Sequence, residues 1–583
     1  MIAGFLPGAA RPLTIAMPHI RYLGILPEIV LLGGAIVLLA VASLVRRPLR
    51  AAVATAGTVA VAGTALGLSL WQWADVTSRG AYTTVDKAVV VDGFSVFVAV
   101  TVSCAMVLTA LVSHGYLRRE GVDGPEFHVL ALVSASGAMI MGEANDLILV
   151  FLGLEILSIA LYVLAAFNHR RAASGEAALK YFLLGGFSSA VFVYGIALTY
   201  GATGSTGLTQ IADFLAHNVV ASNGLLLAGL ALLLVGFAFK VAAVPFHMWT
   251  PDVYQGSPSP VVGFMAAVAK VGGFAALLRV FVSSFGVLGA DWRPVVYVLA
   301  VLTLVVGAFL ALVQRDVKRM LAYSSINHAG FVLLGVQAAT TKGVSASLYY
   351  LFAYTVMVIG TFGIVTYLGG RGDHAHDIAG YRGLARRQPV VAFALAVLLL
   401  AQAGVPFTTG FLTKLQVVVA AVDAHSIPLA VVAMVTAAVA AFFYLRLVVL
   451  MYAGDRSTEA VGAMPHGGAQ ASTVTAGAAP GAQGEPSAAG GGAAPVPLWA
   501  GTERTVAVAD RLNVALLLEG AGTTETVEPA GEEVEATGAS GRMPLPVMAV
   551  AAVGLCLATT VVFGVIPAPL VDFAHRATLF FVP

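Results

Sequence analysis

Four lysines stand where a lysine is costly. Of the seven lysines and 24 arginines in the chain, Lys180, Lys240, Lys270 and Lys414 fall inside long apolar runs, whereas nearly all the arginines fall in loops or near the ends of those runs. Arginine keeps its charge at any biological pH, while a lysine desolvated in a protein interior can exchange its proton near neutrality. Such sorting points to proton relay. Glu155, in Phe151-Leu-Gly-Leu-Glu155-Ile-Leu-Ser, adds a carboxylate to the set. At about 2.5–3.5 kcal/mol per central charge, five such groups oppose membrane insertion by more than about 10 kcal/mol before compensation. Hydrated, paired sites are therefore expected around them. Lys180 lies only a turn or so inside its helix, where a long side chain can snorkel to the interface.

Two of the lysines sit beside prolines. Phe239-Lys240-Val-Ala-Ala-Val-Pro245-Phe-His247 interrupts one apolar run, and Ala403-Gly-Val-Pro406-Phe-Thr-Thr-Gly-Phe-Leu-Thr-Lys414 interrupts another. Proline has no N–H, so Pro245 frees the carbonyl of Val241 and Pro406 frees that of Gln402. The lysines are not equivalent: Lys240 precedes its proline by five residues, about 7.5 Å of helix, and Lys414 follows its own by eight, about 12 Å. His247 follows the first break, and His328 opens a helix in Tyr323-Ser-Ser-Ile-Asn-His328-Ala-Gly. Each histidine suits either of two roles, a donor to a freed carbonyl or a proton carrier. Lys270 is followed by Val271-Gly272-Gly273, which permits close neighbours or water.

The elements that must position these groups follow from composition. With 583 residues, 59% apolar, 10% charged and a mean hydropathy of +0.91, the chain is an integral membrane protein and not a soluble enzyme. The near balance of 31 Lys+Arg against 30 Asp+Glu gives no excess charge for nucleic acid. Cys104 and Cys556 are far apart, without iron–sulfur or disulfide spacing, so any redox chemistry belongs to partners. Apolar runs predict an all-α fold of about 14 transmembrane helices, near 22–45, 52–72, 93–113, 126–143, 145–167, 176–201, 223–247, 257–283, 293–313, 321–339, 343–369, 389–423, 427–453 and 545–566.

Fourteen Lys and Arg residues fall in loops after odd-numbered spans and only Arg79, Lys87, Arg293 and Lys342 after even-numbered ones. By the positive-inside rule this puts both termini on the non-cytoplasmic side. The N-terminus has no cleavable signal pattern and is expected to stay. The shared Val-Pro-Phe at 244–246 and 405–407 lies five helices apart, an odd offset that reverses direction across the membrane. It predicts inverted repeats of helices 4–8 and 9–13, with helices 7 and 12 broken. The divisions are 1–125, 126–284 and 285–454 for the first helices and the two repeats, then 455–543, then 544–583 for the last helix. Residues 455–543 are rich in Gly, Ala, Pro, Ser and Thr with eleven acids against four arginines, a mostly disordered cytoplasmic insertion in which 505–518 is apolar enough for a short surface helix.

The stretch Lys240 to Pro260, KVAAVPFHMWTPDVYQGSPSP, with Gly153-Leu-Glu155, Tyr323 to Gly330 and Gly404 to Lys414, resembles the antiporter-like membrane subunits of respiratory complex I, in particular the N-type subunits of bacterial NADH-quinone oxidoreductase. The resemblance runs from the first helix to the last, excluding 455–543. It implies a proton channel in the membrane arm of a bacterial plasma membrane complex, in which Glu155 tunes Lys240, Lys270 is the central relay and Lys414 lies toward the outer face. It also implies that electrons pass from NADH through FMN and iron–sulfur clusters to quinone on other membrane-arm and peripheral-arm subunits, with no cofactor or metal on this chain. A sodium/proton antiporter of the related multi-subunit family would use the same fold and many of the same residues. A purely structural scaffold would explain the helices but not the lysines.

Overall fold

The computed structural model describes residues 20–218, 223–454 and 546–577. The expected acidic insertion, its short helix and both chain ends lie outside the described residues. The elements in chain order begin with α1 (Leu26–Leu44) and α2 (Arg47–Arg79), then a hairpin of β1 (Tyr82–Thr84) and β2 (Val89–Val91) in which Thr83 pairs with Val90. Next come α3 (Gly93–Glu120), α4 (Glu126–Glu143), α5 (Leu147–Ala165), α6 (Ala172–Thr203), α7 (Leu208–His217), α8 (Asn223–Lys240) and α9 (Trp249–Gly256). A composite helix follows: α10 (Ser259–Phe264), a π-helical segment Met265–Ala269, α11 (Lys270–Leu278) and a second π-helical segment Arg279–Ser284. The remainder is α12 (Gly289–Leu312), α13 (Val317–Ala338), α14 (Thr341–Leu368), α15 (Leu384–Arg387), α16 (Pro389–Ala403), α17 (Thr409–Asp423), α18 (Ile427–Tyr452), α19 (Val547–Val565) and α20 (Ala568–Arg576).

Ten of these helical stretches among the described residues are long and apolar enough to cross a membrane. The helix starts follow local chemistry: Asp92, Asp146, Asp316 and Thr340 each cap a helix N-terminus with a side-chain oxygen, satisfying amides that have no partner within the helix. Burial sorts the helices by position. The composite helix Ser259–Ser284 is enclosed on every side and α14 nearly so, whereas α1, α2, α6 and α19 expose one face. Those faces carry Ile36, Leu183, Phe187 and Val562, the apolar surface that suits lipid.

Where helices must touch closely, small residues permit it. A Cβ on Gly137 of α4 would lie 2.5 Å from the amide of Leu157 on α5. On one face the arginine-rich loops meet. Arg119 donates to the Thr366 carbonyl (3.1 Å), Arg171 pairs with Asp373 (3.3 Å) and Arg382 donates to the Gly454 carbonyl (3.0 Å). The opposite face carries the hairpin, where Asn145 donates to the Lys87 carbonyl (2.9 Å), and the Lys342–Asp423 pair (2.8 Å).

Candidate proton-transfer site

Both proline-containing runs are interrupted helices. Lys240 ends α8, and the chain leaves the helix through Ala242, at φ +61°, before α9 begins at Trp249. The break is pinned by side chains. The Val244 amide donates to Thr303 Oγ1 (2.9 Å), and Trp249 Nε1 donates to the Phe239 carbonyl (3.0 Å). In the second run α16 ends at Ala403, Gly404 takes φ +95° and α17 starts at Thr409. Lys414 Nζ then reaches back to the end of α16 and donates to the carbonyls of Gln402 (3.0 Å) and Ala403 (2.7 Å). The Gln402 carbonyl freed by Pro406 thus finds its donor in the lysine itself, a cation at a helix C-terminus.

Lys240, Lys270 and Lys414 are 5%, 4% and 6% exposed. Lys240 Nζ donates to Ser158 Oγ of α5 at 2.7 Å and lies 5.9 Å from the centre of the Tyr181 ring. Gly273 of α11 makes room for the Lys240 stem, since a Cβ there would sit 3.3 Å from Lys240 Cγ. Lys270 Nζ donates to both the hydroxyl (2.7 Å) and the carbonyl of Ser325 on α13 and lies over the Tyr354 ring. His328, one turn along α13, is buried between the hydroxyls of Tyr350 on α14 (2.7 Å) and Tyr444 on α18 (3.1 Å). It feels the charges of both Lys270 and Lys414. Tyr444 continues to Ser324 in a short hydrogen bond, and Lys414 lies 5.1 Å from the centre of the Phe331 ring, again on α13. None of the three lysines forms an ion pair with a carboxylate among the described residues.

The expected members do not all join. Glu155 and Lys240 make no direct pair. The carboxylate accepts a short hydrogen bond from Ser189 of α6, while Lys240 meets Ser158, three residues further along α5, so the carboxylate acts on the lysine only through space. Lys180 lies outside the buried set. Its side chain is 44% exposed and paired with Glu176 (2.7 Å) and Asp252 (3.0 Å) at a cleft of about 420 Å³ on the arginine-rich face. His247 is half-buried at the first break and bonds to no other side chain among the described residues.

Sequence reasoning missed the hydroxyls, Ser158, Ser189, Ser324, Ser325, Tyr350 and Tyr444, and the anchors at the arginine-rich face. There Asp373, wholly buried in the loop after α14, takes Lys318 (3.3 Å), Arg171 (3.3 Å), His376 (2.7 Å) and Ser259 Oγ (2.7 Å). Burial alone would raise its pKa, but Lys318, His376 and Ser259 hold the carboxyl well below the usual range.

A membrane helix bundle with two broken helices and interior lysines defines a class. The chain belongs to the NADH:quinone oxidoreductase/Mrp antiporter transmembrane family, whose model matches residues 144–440, just over half of it, including Glu155, Lys240, Lys270, His328 and Lys414. Within that family it is similar to curated N subunits. It is 44% identical over 365 residues to NADH-quinone oxidoreductase subunit N of Trichlorobacter lovleyi, covering 63% of this chain and 75% of the relative. Against subunit N of Acidothermus cellulolyticus it is 41% identical over 493 residues, 80% of this chain and 94% of the relative. A chain of respiratory complex I from Thermus thermophilus, solved with bound aureothin, superimposes with a TM-score of 0.62 at 33% identity, covering 73% of this chain and 90% of that one.

Proposed function

We infer that this chain is a proton-translocating membrane-arm subunit of a bacterial NADH-quinone oxidoreductase. The observation that carries the reading is the character of the partners of its interior lysines. Lys240 and Lys270 bond to serine hydroxyls, and Lys414 to main-chain carbonyls. A hydroxyl accepts from an ammonium as readily as it donates to a neutral amine, so a lysine beside serine is accommodated in both protonation states. A carboxylate partner would fix the charge instead. The route then runs from Lys240 to Lys270, through Ser325 and His328 with its tyrosines, to Lys414.

The chain has about fourteen spans, ten of them arranged as two inverted repeats of five. Support comes from matching features: α4 packs on α5 as α12 packs on α13, and α8 with α9 is broken as α16 with α17 is. The arginine-rich face is cytoplasmic, which places both termini on the other side. NADH, FMN, iron–sulfur clusters and quinone belong to partner subunits, and this chain moves protons only. The related sodium/proton antiporter reading rests on the shared family and the shared fold, while the two curated relatives described above, covered over most of their length, are N subunits.

Replacing Lys270 by Met, similar in length but unable to carry a proton, tests the proposal. The assembled complex is expected to persist on native gels while NADH-driven proton uptake by membrane vesicles collapses. Unchanged uptake would overturn the route.

A further inference from the structure

A second buried charged cluster lies on the face opposite the arginine-rich loops. Arg279, 3% exposed, opens the π-helical segment nine residues beyond Lys270. Its Nη1 and Nη2 donate to the two oxygens of Asp92 (2.9 and 2.8 Å), and its Nε donates to the Gly142 carbonyl (2.8 Å). Asp92 also caps α3 by accepting from the Ser95 amide (2.8 Å). The guanidinium is therefore matched by one carboxylate. Two more buried carboxyl groups belong to helix ends that meet at the same hairpin: Glu143, the last residue of α4 and the neighbour of Gly142, and Glu28, in the first turn of α1, 5% and 6% exposed. Helix α1 packs on α4, and Glu143 feels the charges of Glu28, Arg279 and Asp92.

Neither glutamate forms an ion pair with a lysine or arginine among the described residues, and Glu28 Oε2 is buried there without a hydrogen-bond partner. The nearby amide of Gln72 is already committed to the carbonyls of Leu23 (2.9 Å) and Gly24 (3.0 Å). Among the described residues, two other charged groups at this end of the bundle have partners of their own. Arg21 lies over the Tyr82 ring, and Asp75 pairs with Arg79 (3.3 Å). Among the described residues, three ionised carboxylates against one paired guanidinium would leave the two glutamates as negative charges without an ion-pair partner in a closed space, and like charges sharing such a site do not both ionise.

We propose that Glu28 and Glu143 form a carboxyl pair holding one exchangeable proton, a proton-binding site separate from the lysine route and anchored by the Asp92–Arg279 ion pair. A proton on Glu28 gives its unpartnered oxygen a hydrogen to donate, and it removes one of the two uncompensated charges. Glu28, Asp92 and Glu143 all lie outside the segment that matches the family model. The site stands whether or not the lysines carry protons.

Infrared difference spectra of the intact complex, recorded between alkaline and acidic buffer, test it. The wild type is expected to show a protonated-carboxyl C=O band that is lost in both Glu28→Gln and Glu143→Gln, because removing either carboxyl relieves the other of its like charge and lets it ionise. Glu143→Asp, which keeps the carboxyl and so the fold, is expected to shift the band and not abolish it. Lys270→Met is expected to leave it in place, which separates this test from that of the lysine route. A band unchanged in either Gln variant, or unshifted in Glu143→Asp, would overturn the pair. So would a band that vanishes on adding sodium, since a bound cation would then balance the charge.

Discussion

Lys414 offers the sharpest separation of a carrier from a fixed charge. Replacing it by Ala strips the Gln402 and Ala403 carbonyls of the donor that now lies 3.0 and 2.7 Å away. At about 1–3 kcal/mol for each buried group left unpaired, that change is expected to cost about 2–6 kcal/mol of local stability. Arginine keeps a donor and a cation at the C-terminus of α16, so Lys414→Arg should assemble close to normally. It should nonetheless fail to pump. Releasing a proton at pH 7 from a guanidinium, whose ordinary value exceeds about 12, costs about 7 kcal/mol at 1.4 kcal/mol per unit, or about five orders of magnitude in rate. NADH oxidation and proton uptake measured together in membrane vesicles, with assembly followed on native gels, separate the two properties. Near-normal pumping by Lys414→Arg would refute the carrier role and leave Lys414 as the electrostatic cap of a half-helix.

Two further outcomes are expected. Ser158→Ala removes the hydroxyl at 2.7 Å from Lys240; at about 1.5–3 kcal/mol for a hydrogen bond to a charged group, proton uptake should fall by about ten- to a hundredfold, with Ser158→Thr restoring most of it. Asp373→Asn should destabilise the loop at the arginine-rich face at neutral pH. Because the folded pKa of Asp373 is depressed, its contribution is present above the unfolded carboxyl range and lost as pH falls through the folded value. The melting temperature of the variant should therefore approach that of the wild type only in acid below about pH 4, the ordinary aspartate range; a constant offset at all pH values would show that Asp373 acts by packing alone.

The lysines were legible because a charge in an apolar run is conspicuous, and the breaks because proline removes a helical donor. Their partners were not. Hydroxyls are common in buried helices and usually bond to their own turn, as Thr58 does to the Ala54 carbonyl and Thr361 to that of Met357. Nothing in the sequence separates Ser158 or Ser325 from these until the facing helix brings a lysine. The same holds for Glu155, whose nearest donor, Ser189, sits 34 residues away on α6. Arg279 escaped the sorting of arginines to loops because its counter-ion, Asp92, lies 187 residues earlier. Helix α13 is absent from the ten stretches apolar enough to span a membrane. Its Tyr323-Ser-Ser-Ile-Asn-His328 segment lowers the mean hydropathy, yet the apolar run at 321–339 still marks it as a helix in the sequence.

The choice of partner follows depth. At the two faces cations meet carboxylates: Lys318 and Arg171 on Asp373, Lys180 on Asp252, Lys342 on Asp423. Inside, Lys240, Lys270 and Lys414 meet hydroxyls and carbonyls. An ion pair stabilises one charge state and resists its loss, which suits an anchor. A neutral partner tolerates both states and adds no counter-charge that must move with the proton. Arg279 fits the same logic from the other direction. It is a buried cation toward the hairpin face, paired with a carboxylate, and it is the residue type that does not release its proton. Partner type, more than residue type, therefore marks the difference: carboxylates beside the cations that anchor the two faces, neutral groups beside Lys240, Lys270 and Lys414, as the proposed proton route requires.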